Sequence, residues 1–130
     1  MKDPLKADQF VILCVDYDVC NLLYMKMLIR NYNYSTLQAN NGKEAVEICR
    51  EHPELGLVLM DLRIPIMDGI EATRIIKQFR NELPIIAVTA FCMDDERVKI
   101  LEAGFSDFIP KPVGKEILSE KIVRYGKLMG

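Results

Sequence analysis

Five short apolar runs alternate with stretches of helical period, and that alternation limits the fold more than any other feature of the chain. The runs cover residues 10–15 (FVILCV), 34–39 (YSTLQA), 57–60 (LVLM), 85–88 (IIAV) and 107–109 (DFI). The first, third and fourth are continuously apolar, as strands buried on both faces are. The second alternates weakly, which predicts a strand nearer the sheet edge. Between the runs, Leu22, Met25 and Ile29 are spaced for one helix face, Ala45 with Ile48 and Cys49 for a second, and Ala72, Ile75, Ile76 and Phe79 for a third. A fourth helix is predicted from about Asp94 to Ala103, stopped by Gly104. A fifth carries Leu118, Ile122, Tyr125 and Met129 on one side.

Punctuation agrees with the pattern. Asn31-Tyr32-Asn33 breaks the first helix. Asn41 with Glu44, and Asp68 with Glu71, have the spacing of helix-starting caps. His52-Pro53 ends the second helix, because a residue before proline avoids the α region, and Pro84 restarts the chain. Strands alternating with helices at this spacing predict an α/β fold, a parallel sheet covered by helices on both faces. With 130 residues the chain is sized for one domain. Residues 1–8 read as a leader or linker and residues 9–130 as the domain, with no internal repeat.

Several function classes drop out early. Formal net charge is −2, so no basic field favours nucleic acid or an anionic membrane surface. No apolar run approaches bilayer-spanning length, and MKDPLKAD lacks the apolar core of a signal peptide. Cys14, Cys20, Cys49 and Cys92 match no zinc or redox spacing. They read as reduced thiols of a cytoplasmic protein, with Cys14 and Cys49 on apolar faces.

Four of the runs end in a polar residue: Asp16, Asp61, Thr89 and Lys111. In a parallel sheet those ends share one edge, the edge where open α/β sheets place their chemistry. The set is two carboxylates, a hydroxyl and an ammonium. A carboxylate attacking a phosphoryl donor needs their mutual repulsion relieved, which a divalent cation and a lysine do. Mg²⁺ keeps several waters, so one or two carboxylates suffice to hold it. A hydroxyl at Thr89 can hydrogen-bond a phosphoryl oxygen once that oxygen has arrived. Singly, each residue has an ordinary reading: Asp16 as a helix cap, Asp61 as a turn cap, Thr89 as a β-branched strand residue, Lys111 as a solvated charge. Their register at successive strand ends is what points to chemistry at Asp61.

The segments VILCVD (residues 11–16), LMD ending at Asp61, Pro65, MDG (67–69), IAVTA (86–90), LEAG (101–104) and Lys111-Pro112 resemble the receiver domain of two-component response regulators. The resemblance runs from about Gln9 to Leu128. It implies a flavodoxin-like (βα)5 fold with strand order 2-1-3-4-5. It implies that Asp61 is the phosphoacceptor, that Lys111 pairs with the phosphoryl group, and that Thr89 and Phe108 are the switch residues. Asp16, Asp61 and the backbone carbonyl of Arg63 would hold Mg²⁺, and the Lys111–Pro112 bond would be cis. The implied phosphodonor is a histidine kinase or histidine phosphotransfer domain. The implied output is a protein that binds the face of the fourth helix, fifth strand and fifth helix, with no direct contact to nucleic acid or membrane. Such a domain is a signalling phosphoacceptor and not a turnover enzyme. Asn21 and Glu71-Ala72-Thr73 resemble receivers attached to hybrid sensor kinases.

One departure stands out. Most receivers carry two adjacent acids after the first strand, and here the pair is Asp16-Tyr17. Tyrosine stays neutral at neutral pH, so the Mg²⁺ site loses a negative charge and a hard ligand. Asp18 is a candidate stand-in, and the Arg63 side chain is a candidate partner for the phosphoryl group or a substitute for part of the metal's charge. Tyr17 also keeps open a second reading, a pseudo-receiver that binds proteins without phosphorylation. Other families fit poorly. A haloacid-dehalogenase-like phosphatase would need threonine or valine where Cys20 stands, and an acidic pair after Lys111. An EF-hand would need glycine at Asn21, and a flavodoxin-like cofactor site a Gly-rich loop after the first strand.

Overall fold

The computed structural model describes residues 10–32, 34–90 and 94–126. Along the chain these form β1 (Val11–Val15), α1 (Val19–Arg30), β2 (Ser35–Ala39), α2 (Gly42–Glu51), β3 (Leu55–Asp61), α3 (Gly69–Phe79), β4 (Ile85–Thr89), α4 (Asp94–Ala103), β5 (Asp107–Pro110) and α5 (Lys115–Gly126). The strands make one sheet in the order β2-β1-β3-β4-β5, all neighbours parallel. The alternation expected from the sequence and the strand order implied by the resemblance are both present.

Side chains of successive strand residues point to opposite sheet faces, and each face has its own helices. Leu13, Val15, Val58, Met60, Ile85 and Ala87 pack with Ala45, Cys49, Ala72, Ile76, Ile100 and Ala103, so this core lies under α2, α3 and α4. Ile12, Cys14, Leu57, Leu59, Ile86 and Val88 pack with Leu22, Met25, Ile29, Leu118 and Ile122 of α1 and α5. β3 is central and every one of its residues is buried, whereas β2 at the edge is mostly exposed or half-buried. Each Val, Leu, Ile or Met side chain fully buried this way contributes roughly 1.5–3 kcal/mol.

The predicted caps form. Asn41 Oδ1 accepts from the Glu44 N–H at 2.8 Å, and Asp68 Oδ1 from the Glu71 N–H at 2.8 Å. The returning Glu44 carboxylate accepts from Asn40, one residue before the cap. α2 ends at Glu51 before His52-Pro53, and Gly104 closes α4 at φ +105°, a conformation that favours glycine. β3 begins at Leu55, two residues before the apolar run. Pairing with β1 starts at Val11↔Leu55 and slips by one residue at Gly56, a shift that periodicity does not reveal. Cys92 and Met129 lie outside the described residues; Cys14 and Cys49 are buried free thiols, as expected, and burial pushes both up to about 12. Among the described residues no helix is long and apolar enough to cross a membrane.

Candidate functional site

The carboxyl ends of β1, β3, β4 and β5 meet at one edge. Asp16 follows β1, Asp61 ends β3, Thr89 ends β4 and Lys111 follows β5. Register aligns them: Asp61 pairs with Val88, Thr89 pairs with Pro110, and the Lys111 N–H donates to the Thr89 carbonyl at 2.9 Å. Thr89 is 3 % exposed, and the Lys111–Pro112 bond is cis.

Lys111 Nζ donates to Asp61 Oδ2 at 2.8 Å and to Asp16 Oδ2 at 3.0 Å. Both aspartates are buried, so one ammonium bridges two carboxylates in a low-dielectric cleft. Burial works against the lysine's charge. The hydrogen bonds and charges of Asp61 and Asp16 outweigh it and hold its pKa above the ordinary lysine value. The outer oxygens are occupied by backbone: Asp16 Oδ1 accepts from the Asp18 N–H at 2.8 Å, and Asp61 Oδ1 from the Arg63 N–H at 3.2 Å. Asn21 Nδ2 reaches Asp16 Oδ2 at 3.4 Å. The two carboxylates are thus aimed at a shared cation by their own loops.

The donor set suits a hard divalent ion. Two carboxylate oxygens already converge on one cation, a backbone carbonyl follows at Arg63, and Mg²⁺ takes its remaining ligands from water. Among the described residues no cluster of three or more His, Cys, Asp or Glu stands ready for a metal. Two acids, Asp16 and Asp61, meet at Lys111, and Tyr17 is 66 % exposed. Asp18 is the N-cap of α1, its Oδ1 accepting from the Cys20 N–H at 2.8 Å. The Arg63 side chain, 75 % exposed, turns toward α4, where Nη2 lies 3.9 Å from Glu96 Oε2. Phe108 is half-buried on β5, with the Arg97 guanidinium 5.0 Å over its ring.

The loop from β3 to α3 is tightly built. A Cβ on Gly69 would stand 2.2 Å from the Asp61 carbonyl oxygen, so only glycine lets α3 begin against the strand end. The Met67 N–H donates to the Pro65 carbonyl at 2.7 Å, closing a turn with Ile66 at φ +71°. That conformation is strained for a β-branched residue. It leaves Ile66 78 % exposed at the loop tip.

Periodicity passed over one further surface. Val19, Leu23 and Met27 recur every four residues along α1, and all three are exposed. Tyr17, Tyr24 and Ile66 are further exposed large apolar side chains. The signal was present in the sequence, since α1 is apolar on more than the face spanned by Leu22, Met25 and Ile29.

A family model described as the response regulator receiver domain matches residues 12–123. Among curated proteins, the chain is 33 % identical over 119 residues to the sensor histidine kinase GacS of Pseudomonas protegens, covering 88 % of this chain and 13 % of that protein. The chain therefore spans a small part of that relative. Among solved structures, the receiver domain of Ssk1 from Saccharomyces cerevisiae, crystallised with the histidine phosphotransfer protein Ypd1, superposes at a TM-score of 0.86 with 32 % identity, covering 92 % of this chain and 90 % of that one. The receiver domain of the sensor histidine kinase PA1611 from Pseudomonas aeruginosa, with magnesium coordinated in its active-site cleft, gives 0.82 and 30 %, covering 90 % and 97 %.

Proposed function

The chain belongs to the response regulator receiver domain family, and from that premise we propose that Asp61 accepts a phosphoryl group from the phosphohistidine of a histidine kinase or phosphotransfer domain. The observation that carries this reading is the single ammonium of Lys111 bridging Asp61 and Asp16 at a buried strand edge. In the transfer an Asp61 oxygen bonds phosphorus as the phosphorus–nitrogen bond breaks, and the imidazole nitrogen keeps the electron pair. Asp16, Asp61 and the Arg63 carbonyl would hold Mg²⁺, which supplies charge neutralisation at the transferring phosphoryl oxygens. Lys111 follows the new negative charge, and the Thr89 hydroxyl hydrogen-bonds a phosphoryl oxygen. Asp18 keeps its capping role.

The exposed stripe of Val19, Leu23 and Met27, with Ile66 at the loop tip, suits the apolar flank of the helix that presents the phosphohistidine. α1, which carries the stripe, follows directly after Asp16 at the end of β1. The output is a population shift: phosphorylation acts as far as it binds two states differently. Phe108 moves with Thr89, and the face of α4, β5 and α5 changes its affinity for a protein partner. Val98, Leu101 and Val123 are exposed on those two helices. The domain is a phosphoacceptor working in the cytoplasm, outside turnover catalysis.

The test is intact mass after incubation with acetyl phosphate, with and without Mg²⁺, beside Asp61→Asn. A single phosphoryl adduct that needs Mg²⁺ and disappears in the variant supports the reading. Absence of an adduct at millimolar Mg²⁺ sinks it and leaves the pseudo-receiver that Tyr17 brings forward.

A further inference from the structure

Arg63 stands two residues after the phosphoacceptor and is tied to it, its N–H donating to Asp61 Oδ1. Its guanidinium faces the other way, toward Glu96 of α4. Glu96 is three-quarters buried at its side chain, and its Oε1 is shielded from water with no hydrogen-bond partner among the described residues. A carboxylate oxygen so placed is costly, and Arg63 is the cation beside it. The next residue on α4, Arg97, lies over the ring of Phe108. The first turn of α4 thus meets two neighbours, the loop after Asp61 through a weak ion pair and the Phe108 ring of β5 through Arg97.

We propose that Arg63 is an electrostatic latch, exchanged between Glu96 and a phosphoryl group on Asp61, that couples the charge on Asp61 to the position of α4. The proposal rests on the phosphoacceptor reading and adds to it a second route from site to surface, separate from Thr89. At 3.9 Å, with a mostly exposed arginine, the Arg63–Glu96 pair is weak and easily exchanged. A phosphoryl group brings about 1.5–2 negative charges and three acceptor oxygens, which the planar guanidinium fork matches well. Once Arg63 leaves, Glu96 keeps a shielded oxygen and loses its paired cation. The first turns of α4 relieve this by turning the carboxylate out to water, which carries Arg97 off Phe108. The element that moves is the one whose surface meets the output partner.

The test pairs nuclear magnetic resonance of the α4 backbone amides with rates of acetyl phosphate labelling read by intact mass. It uses the wild type, Glu96→Gln, Arg63→Gln and the double variant. In unphosphorylated Glu96→Gln the α4 amides should move part of the way toward their positions in the phosphorylated wild type. The labelling rate should rise about threefold, the size an exposed pair of this kind sustains. Both effects should vanish when Arg63→Gln is added. Labelled wild type with Glu96→Gln unchanged in both readouts overturns the latch alone, as does a gain that survives Arg63→Gln. A wild type that takes no label overturns the phosphoacceptor reading and the latch with it.

Discussion

Two lysine–aspartate pairs in this molecule have the same length and opposite surroundings. Lys111 meets Asp61 at 2.8 Å at the carboxyl edge of the sheet, and Lys121 meets Asp107 at 2.8 Å where β5 begins. At the first, one cation serves two acids. At the second, one acid serves several donors: besides Lys121, Asp107 accepts from the Phe108 N–H, Arg124 and the Tyr125 hydroxyl. Burial raises the Asp107 pKa, but the Lys121 hydrogen bond and the other donors prevail and hold the carboxyl below the usual range. Distance alone does not distinguish these two ion pairs. The balance of charge around them does. The acid-rich cluster carries one more carboxylate than its lysine can neutralise, whereas the acid of the donor-rich cluster accepts from four donors.

That contrast can be attacked directly. The largest effect expected is from Asp61→Asn, which should abolish the phosphoryl adduct in intact-mass measurements, while Asp107→Asn leaves labelling unchanged. Next comes Tyr17→Asp. Restoring the second acid should tighten Mg²⁺ binding at least 10-fold, by the roughly 10–100-fold that even an outer-shell partner carries; titration calorimetry would read it. An unchanged affinity would mean that Tyr17 does not face the metal position. Lys111→Met should then cost about 3 kcal/mol of stability in metal-free urea unfolding, because two buried carboxylates lose their shared cation. Millimolar Mg²⁺ should recover most of that loss, and failure to recover it would argue against a cation site between Asp16 and Asp61. Asp107→Asn should cost about 1–2 kcal/mol, with no recovery by Mg²⁺.

The smallest effects are in the pH profile of stability, and their signs differ. Lys111 has a raised pKa in the fold, so its contribution is complete below the unfolded value of about 10.4 and is lost as pH rises through the folded value. Asp107 has a lowered pKa, so its contribution is present above the unfolded value of about 3.9 and is lost as pH falls through the folded value. Lys111→Met should flatten the alkaline limb of the profile and Asp107→Asn the acid limb. Denaturant midpoints measured across pH would show whether the two limbs separate in this way.

The strands, the helices and the four strand-end residues were legible because each rests on local rules. A continuous apolar run is a buried strand, a proline ends a helix, and a parallel sheet brings every carboxyl end to one edge whatever lies between. The caps at Asn41 and Asp68 were legible for the same reason, since each stands three residues before a glutamate. The resemblance then supplied the strand order, which no periodicity contains.

What the sequence could not express is how a side chain divides itself among partners far along the chain. Arg80 donates to the carbonyls of Cys49, His52, Pro53 and Leu55, tying the end of α2 to the start of β3, and nothing near residue 80 announces it. Asp18 was only a candidate stand-in for the acid that Tyr17 replaces. Only the backbone path after β1 turned one carboxylate to a helix end and the other to Lys111. Arg63 could face the site or the solvent, and in the fold it is mostly exposed, with Glu96 of α4 3.9 Å away. The sequence by itself determined the order of elements and the identity of the residues at the sheet edge, because those follow from neighbours in the chain. The tertiary structure alone decided which charges share a cation and which are saturated, because those energies depend on burial and on distances between segments that meet only when the sheet is assembled.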